Sequence, residues 1–138
     1  MRISPLLFVP AAAAAAFAVA PAALAHEAGA TVNVTAGKPS NFAFTLSAKS
    51  VPHGSITFKV TNGDSAGLAH DFKLCSAPAK STSASSLPNA CAGKATAMIG
   101  KGGSATLAVT VAKAGNYEYL CTVPGHAAGG MKGILKVT

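Results

Sequence analysis

The chain has 138 residues, with eleven Lys and Arg against four Asp and Glu, a formal net charge of +7, and three cysteines. That length suits one small domain and excludes two of ordinary size. The positive balance admits an anionic partner, but the lysines stand singly and Arg2 is the only arginine, so the basic cluster that nucleic acid requires is absent and no nucleic-acid partner is expected.

Residues 1–25 read MRISPLLFVPAAAAAAFAVAPAALA, with Arg2 as their only charge. A short positive start, an apolar middle and the small residues Ala23 and Ala25 at the end form the pattern of a cleaved secretory signal peptide. The alternative is a retained membrane anchor. The prolines, the alanine run and the lack of a charged stop favour cleavage. No cysteine stands at the cleavage point to carry a lipid. The expectation is a domain over residues 26–138, exported to the periplasm or beyond, with no stable membrane insertion once the leader is removed. An exported chain meets an oxidising compartment, and its three cysteines, Cys75, Cys91 and Cys121, raise the question of which two pair.

After the leader, short runs alternate apolar and polar residues with period two. TVNVTAG, NFAFTLS and SITFKVTN come first, then ATLAVTV, NYEYLC and GILKVT. Turn residues divide them, in AGKPS, VPHG, NGDSAG, GKGGS and KAGN. Half-buried strands at this spacing predict an all-β sandwich or small barrel. If each turn reverses the chain, TVNVT and SITFKVTN run upward, and ATLAVTV runs down. NYEYLC then rises again, which puts His70 and Cys121 at the same end. His53 and the start at His26 fall at the opposite end, too far away to share a metal with them. Residues 76–95 break the pattern with a Ser/Ala/Pro-rich surface excursion.

The last loop carries the chemistry. In CTVPGHAAGGM, Cys121, His126 and Met131 are separated by four residues in each gap. A thiolate, a thioether and an imidazole are ligands that suit copper, and two histidines with one cysteine and a distant methionine make an electron-transfer copper site. His70 is placed to supply the second imidazole. Gly125, Gly129 and Gly130 let the backbone curl around an ion, and Pro124 stiffens the approach. Structural zinc would call for more thiolates or paired ligand motifs.

VTNGDSAGLAHDFKL followed by YEYLCTVPGHAAGGMKGILKV resembles the cupredoxin family of small blue-copper proteins. The ligand spacing is similar to that of the longer-loop, auracyanin- and rusticyanin-like members rather than the plastocyanin-like ones. The resemblance implies a Greek-key β-sandwich of about seven to eight strands and one type 1 copper ion. It implies the ligands His70, Cys121, His126 and Met131, with Asp71 and Thr122 tying the two ligand loops together. It also implies an electron carrier rather than an enzyme. An oxidase would need His-x-His pairs and a nitrite reductase a second copper, and this chain has four histidines and no His-x-His. The alternative function is copper handling in the periplasm. Cys75 and Cys91 remain, and a disulfide between them is expected; a second thiolate metal site is the alternative, with no histidine beside either. An apolar face around Pro124, Ala127 and Ala128, joined by Ala66 and Leu68, is expected to meet a redox protein partner. The lysine excess predicts an acidic docking surface on that partner. The carrier is expected to be a monomer.

Overall fold

The computed structural model describes residues 29–138. The expected leader, its cleavage after Ala25 and His26 lie outside the described residues.

Among the described residues nine strands form two sheets packed face to face. They are β1 (Ala30–Ala36), β2 (Phe44–Leu46), β3 (Ser50–Val51), β4 (Gly54–Asn62), β5 (Lys73–Cys75), β6 (Gly93–Ala95), β7 (Ser104–Val111), β8 (Gly115–Leu120) and β9 (Lys132–Val137). One sheet has the order β2-β1-β4-β7 and the other β3-β9-β8-β5-β6. The chain crosses between the sheets after β2, β3, β4, β6 and β7, in the Greek-key manner of a sandwich.

The period-two pattern sets what faces inward. Val32, Val34 and Ala36 of β1, and Ile56, Phe58 and Val60 of β4, are almost fully buried. Tyr117 and Tyr119 of β8 face them across the sandwich, and Cys121 continues the same alternation just past the strand. Phe44, Phe58, Phe72 and Tyr119 form an aromatic cluster at the centre, with ring centroids 4.9–6.0 Å apart. Gly133 lies opposite Tyr119 in the β8–β9 pair, and a methyl group there would collide with the phenol ring.

The direction of each strand agrees with simple reversals. β1 runs parallel to β4, and β7 runs antiparallel to both by way of β4. β5 is antiparallel to β8, with Lys73 opposite Leu120, so the loop before β5 and the loop after β8 open at one end. His53 sits at the other end, where its backbone N–H donates to the carbonyl of Thr138 and its Nδ1 lies 2.9 Å from the same oxygen.

Two strands exceed the sequence expectation. β3 is two residues long, and β6 forms from the last part of the 76–95 excursion, pairing with β5. The rest of that excursion lies over the outer face of β8 at Asn116 and Glu118, which is why Glu118 is buried although it points away from the sandwich interior. The Ser85 N–H donates to Glu118 Oε1 at 2.6 Å, and the Ala79 N–H donates to the Asn116 carbonyl at 2.7 Å.

Cys75 and Cys91 form a disulfide at the two ends of the excursion, and Cys121 is free and buried. The bridge closes a short loop, worth about 3 kcal/mol in the chain-entropy description. Thiol labelling of metal-free protein, unfolded without reductant, should therefore tag one cysteine, Cys121. The double substitution Cys75→Ala with Cys91→Ala should lower stability by about 3 kcal/mol in a denaturant titration. Three labelled thiols in protein that has met no reductant would contradict the pairing.

Candidate metal centre

Four connections meet at one end of the sandwich: residues 37–43, 63–72, 96–103 and 121–131. Within them His70, Cys121 and His126 bring one potential ligand atom each to within 4.8 Å of one another, and all three side chains are buried. His70 Nδ1 lies 3.1 Å from His126 Nδ1, and Cys121 Sγ lies 3.6 Å from His126 Nδ1. Met131, fully buried, is on the same loop as the last two. These are the residue types, and the convergence, that a soft or borderline metal ion requires.

The loop is shaped by its own backbone. The Cys121 N–H donates to the Met131 carbonyl at 3.0 Å, and the Met131 N–H donates to the His126 carbonyl at 3.0 Å. The His126 N–H donates to Val123, and Gly129 N–H to Gly125, which closes one helical turn between the second and third of these residues. Gly125 and Gly130 have φ of 85° and 118°, where a side chain is strained. Gly129 serves differently: a methyl group there would lie 3.0 Å from the Phe42 ring. Phe42 itself packs against the His126 imidazole, with centroids 5.0 Å apart, and is 39% exposed.

The two ligand-bearing loops are tied by Asp71. Its carboxylate accepts from the Thr122 N–H at 2.6 Å and from the Thr122 hydroxyl. This is the pairing of Asp71 with Thr122 that the sequence suggested. A second carboxylate was not foreseen. Asp64, also buried, accepts from His70 Nε2 at 3.0 Å. That hydrogen bond, ahead of the cost of burial, holds the Asp64 carboxyl below its ordinary value. A carboxylate only accepts, so the proton of neutral His70 resides on Nε2 and the Nδ1 lone pair is left facing His126 and Cys121.

Burial lowers the affinity of His126 for a proton, and the neighbouring His70 adds to the effect. A neutral imidazole is the form that binds metal. Burial also pushes the Cys121 thiol up to about 11. A cation must displace that proton, so metal binding here is coupled to proton release.

Asn62, the inward residue that ends β4, braces this end from beneath. Its amide donates to the carbonyls of Leu68 and Ile99, each at 2.8 Å, and its Oδ1 accepts from the Asp64 N–H. His70 and Ile99 pair as an isolated bridge. Around the rim, Ala66, Pro124 and Ala128 are exposed and Leu68 is half-buried, while Ala127 is buried beneath the rim and His126 keeps 9% of its surface open. Every carboxylate side chain among the described residues (Asp64, Asp71 and Glu118) is buried, whereas the lysines are exposed or half-buried.

Comparison with known proteins gives this arrangement its context. The family profile described as copper binding proteins, plastocyanin/azurin family, matches residues 21–138. Auracyanin-B of Chloroflexus aurantiacus is 33% identical over 125 residues, which cover 78% of this chain and 52% of that protein. The chain thus spans about half the length of this curated relative. A solved structure of auracyanin B superposes with a TM-score of 0.65 at 29% identity, over 78% of this chain and 88% of that one. Reduced auracyanin from the photosynthetic bacterium Roseiflexus castenholzii gives 0.62 at 26%, over 80% and 98%. Reduced rusticyanin gives 0.58 at 25%, over 78% of each. No helix among the described residues is long and apolar enough to cross a membrane.

Proposed function

Because this chain belongs to the plastocyanin/azurin family of copper-binding proteins, we propose that it holds one type 1 copper ion through His70, Cys121, His126 and Met131 and carries single electrons between redox partners outside the cytoplasm. Copper bound by such a set supplies a one-electron couple. The observation that carries the reading is the convergence of two imidazole nitrogens and one thiol within 4.8 Å, all buried. Cys121 gives the thiolate, His70 and His126 the two imidazoles, and Met131 the weak axial donor. The hydrogen bonds within 121–131 and the Asp71 tie keep these side chains in place, so a change of charge at the centre moves few atoms.

His126 is the exit. Its open edge stands among Phe42, Pro124 and Ala128, an apolar rim suited to a small and transient contact. With its carboxylates turned inward, the described surface presents lysine without acidic neighbours, which favours a redox protein with an acidic docking surface and an association rate that falls as salt rises. The reading of residues 1–25 as a signal peptide puts the carrier in the periplasm or outside the cell. A monomer suffices, since one chain provides the whole ligand set.

Voltammetry of the copper-loaded protein tests the carrier role. One reversible couple, with copper retained through repeated cycles, is expected. Loss of the ion on each reduction would favour copper handling instead. The same measurement tests Met131. Met131→Gln offers a harder oxygen, which favours Cu(II), so the potential should fall while copper still binds. An unchanged potential would make Met131 packing rather than a ligand.

A further inference from the structure

The carboxylate on the far side of His70 is built into the fold more firmly than a turn residue needs. Asp64 and His70 are both without solvent contact in their side chains, and Nε2 lies 3.0 Å from Oδ2. The other oxygen, Oδ1, accepts from the Ala66 N–H at 2.6 Å and the Leu68 N–H at 3.3 Å. The Asp64 N–H is held by Asn62 Oδ1 at 2.9 Å. From the opposite side Gly37, with φ of 75°, presses its backbone so closely that a methyl group there would lie 2.6 Å from Asp64 Cβ. Four residues of the same loop, Asn62, Ala66, Leu68 and His70, and the distant Gly37 thus fix one carboxylate.

A buried charge is costly unless paired. Among the described residues the pair to Asp64 is His70 alone. A neutral isostere could not take its place. Each oxygen faces only donors, so an asparagine would turn its NH2 either toward the Ala66 and Leu68 amides or toward Nε2–H of His70. The second arrangement would move the imidazole proton to Nδ1, the atom that faces Cys121 and His126.

We propose that Asp64 is the positioning residue of the copper centre: it fixes the His70 tautomer that presents Nδ1 to the ion and, by loading negative charge onto that imidazole, biases the couple toward Cu(II) and lowers the reduction potential. This rests on the ligand assignment given above. A carboxylate hydrogen-bonded to the remote nitrogen of a ligating imidazole raises its basicity, and loss of such a partner commonly changes metal affinity by about 10- to 100-fold. The more basic ligand stabilises the more highly charged ion, so the effect falls unequally on the two oxidation states. A purely structural brace would alter stability and leave the potential where it was.

The test uses the full copper-loaded protein in three forms: wild type, Asp64→Asn and Asp64→Ala. Both variants should lose at least about tenfold in their preference for Cu(II) over Cu(I), read as a rise in potential of about 59 mV or more for this one-electron couple. A folded variant with an intense visible band and a potential within twofold of wild type in that preference would overturn the proposal. If the variants do not fold, the decision passes to nitrogen-15 NMR of the wild-type protein, metal-free and with Cu(I). His70 should there carry its proton on Nε2, slow to exchange and shifted downfield by the carboxylate. A bare Nε2, or one exchanging freely with water, overturns the proposal. Failure of the ligand assignment looks different: wild-type protein would then bind Cu(II) without a thiolate band.

Discussion

Cys121→Ser is expected to erase the intense visible band of the Cu(II) protein while leaving the sandwich folded. The band requires a sulfur bonded to the ion, and Cys121 is the only cysteine outside the disulfide. Serine fits the space, being smaller by little, and the backbone bonds of residue 121 to Met131 do not involve its side chain. A hydroxyl is a far poorer ligand at neutral pH because it does not surrender its proton as a thiol does. The potential of any copper retained should become ill-defined, and affinity for Cu(I), the softer ion, should fall most. Absorption spectroscopy alongside circular dichroism reads both halves of the expectation. A variant that stays intensely blue would show that the thiolate is not a ligand.

Phe72→Ala is expected to cost about 3–5 kcal/mol of stability, the range for removing a large aromatic side chain from a packed core. Phe72 is fully buried, stacked on Tyr119 at 5.5 Å and tilted against Phe58 at 4.9 Å, with Phe44 edge-on at 5.3 Å. It therefore fills the space where the two sheets meet beneath the metal centre, one residue after Asp71 and two after His70. The cavity cannot collapse easily, because the surrounding rings belong to both sheets. Urea unfolding of the metal-free protein would report the loss without the contribution of bound copper. A change below about 1 kcal/mol would mean that the aromatic cluster closes over the gap.

Much of the fold was legible because period-two alternation is a strong signal wherever one face is buried. β1, β4 and β7 show it over most of their length, and simple reversals then place His70 and Cys121 at one end, as the β1–β4 and β5–β8 pairings do. The convergence of His70 with Cys121 and His126 followed from that tracing and the spacing in the final loop. β3 and β6 were not legible. With two and three residues they carry no pattern of their own and exist because a neighbouring strand offers hydrogen bonds.

The other omissions share a cause. Asn62 and Asp64 sit in a run of turn residues, and nothing in NGDSAG distinguishes a solvated carboxylate from one folded back onto an imidazole. Burial decided that, through Gly37 and the Leu68 and Ala66 amides. Phe42 keeps the parity of Phe44 and Leu46, so NFAFTLS reads as one strand with all three facing the core. The strand in fact begins at Phe44, and Phe42 lies before it, free to turn outward onto His126. Gly129 reads as freedom for the loop to curl, and in the structure it also leaves the gap that admits Phe42. The Gly37 and Phe42 contacts join segments distant in sequence, and the Asp64 contacts arise from how one short loop folds back on itself; a one-dimensional pattern encodes neither.

The backbone bond from Cys121 to Met131, just beyond the Leu120–Lys132 pair, seals the ladder of β8 and β9 immediately below the metal-binding loop. Residues 122–130 are thereby a cassette: their number and order can change without shifting the register of either strand, because the pairing beneath is complete. The Cys-to-His and His-to-Met gaps become adjustable parameters set above a fixed base. A change of length in that segment would therefore act on the Cys121, His126 and Met131 side of the site, and reach the His70 side through the tie of Thr122 to Asp71.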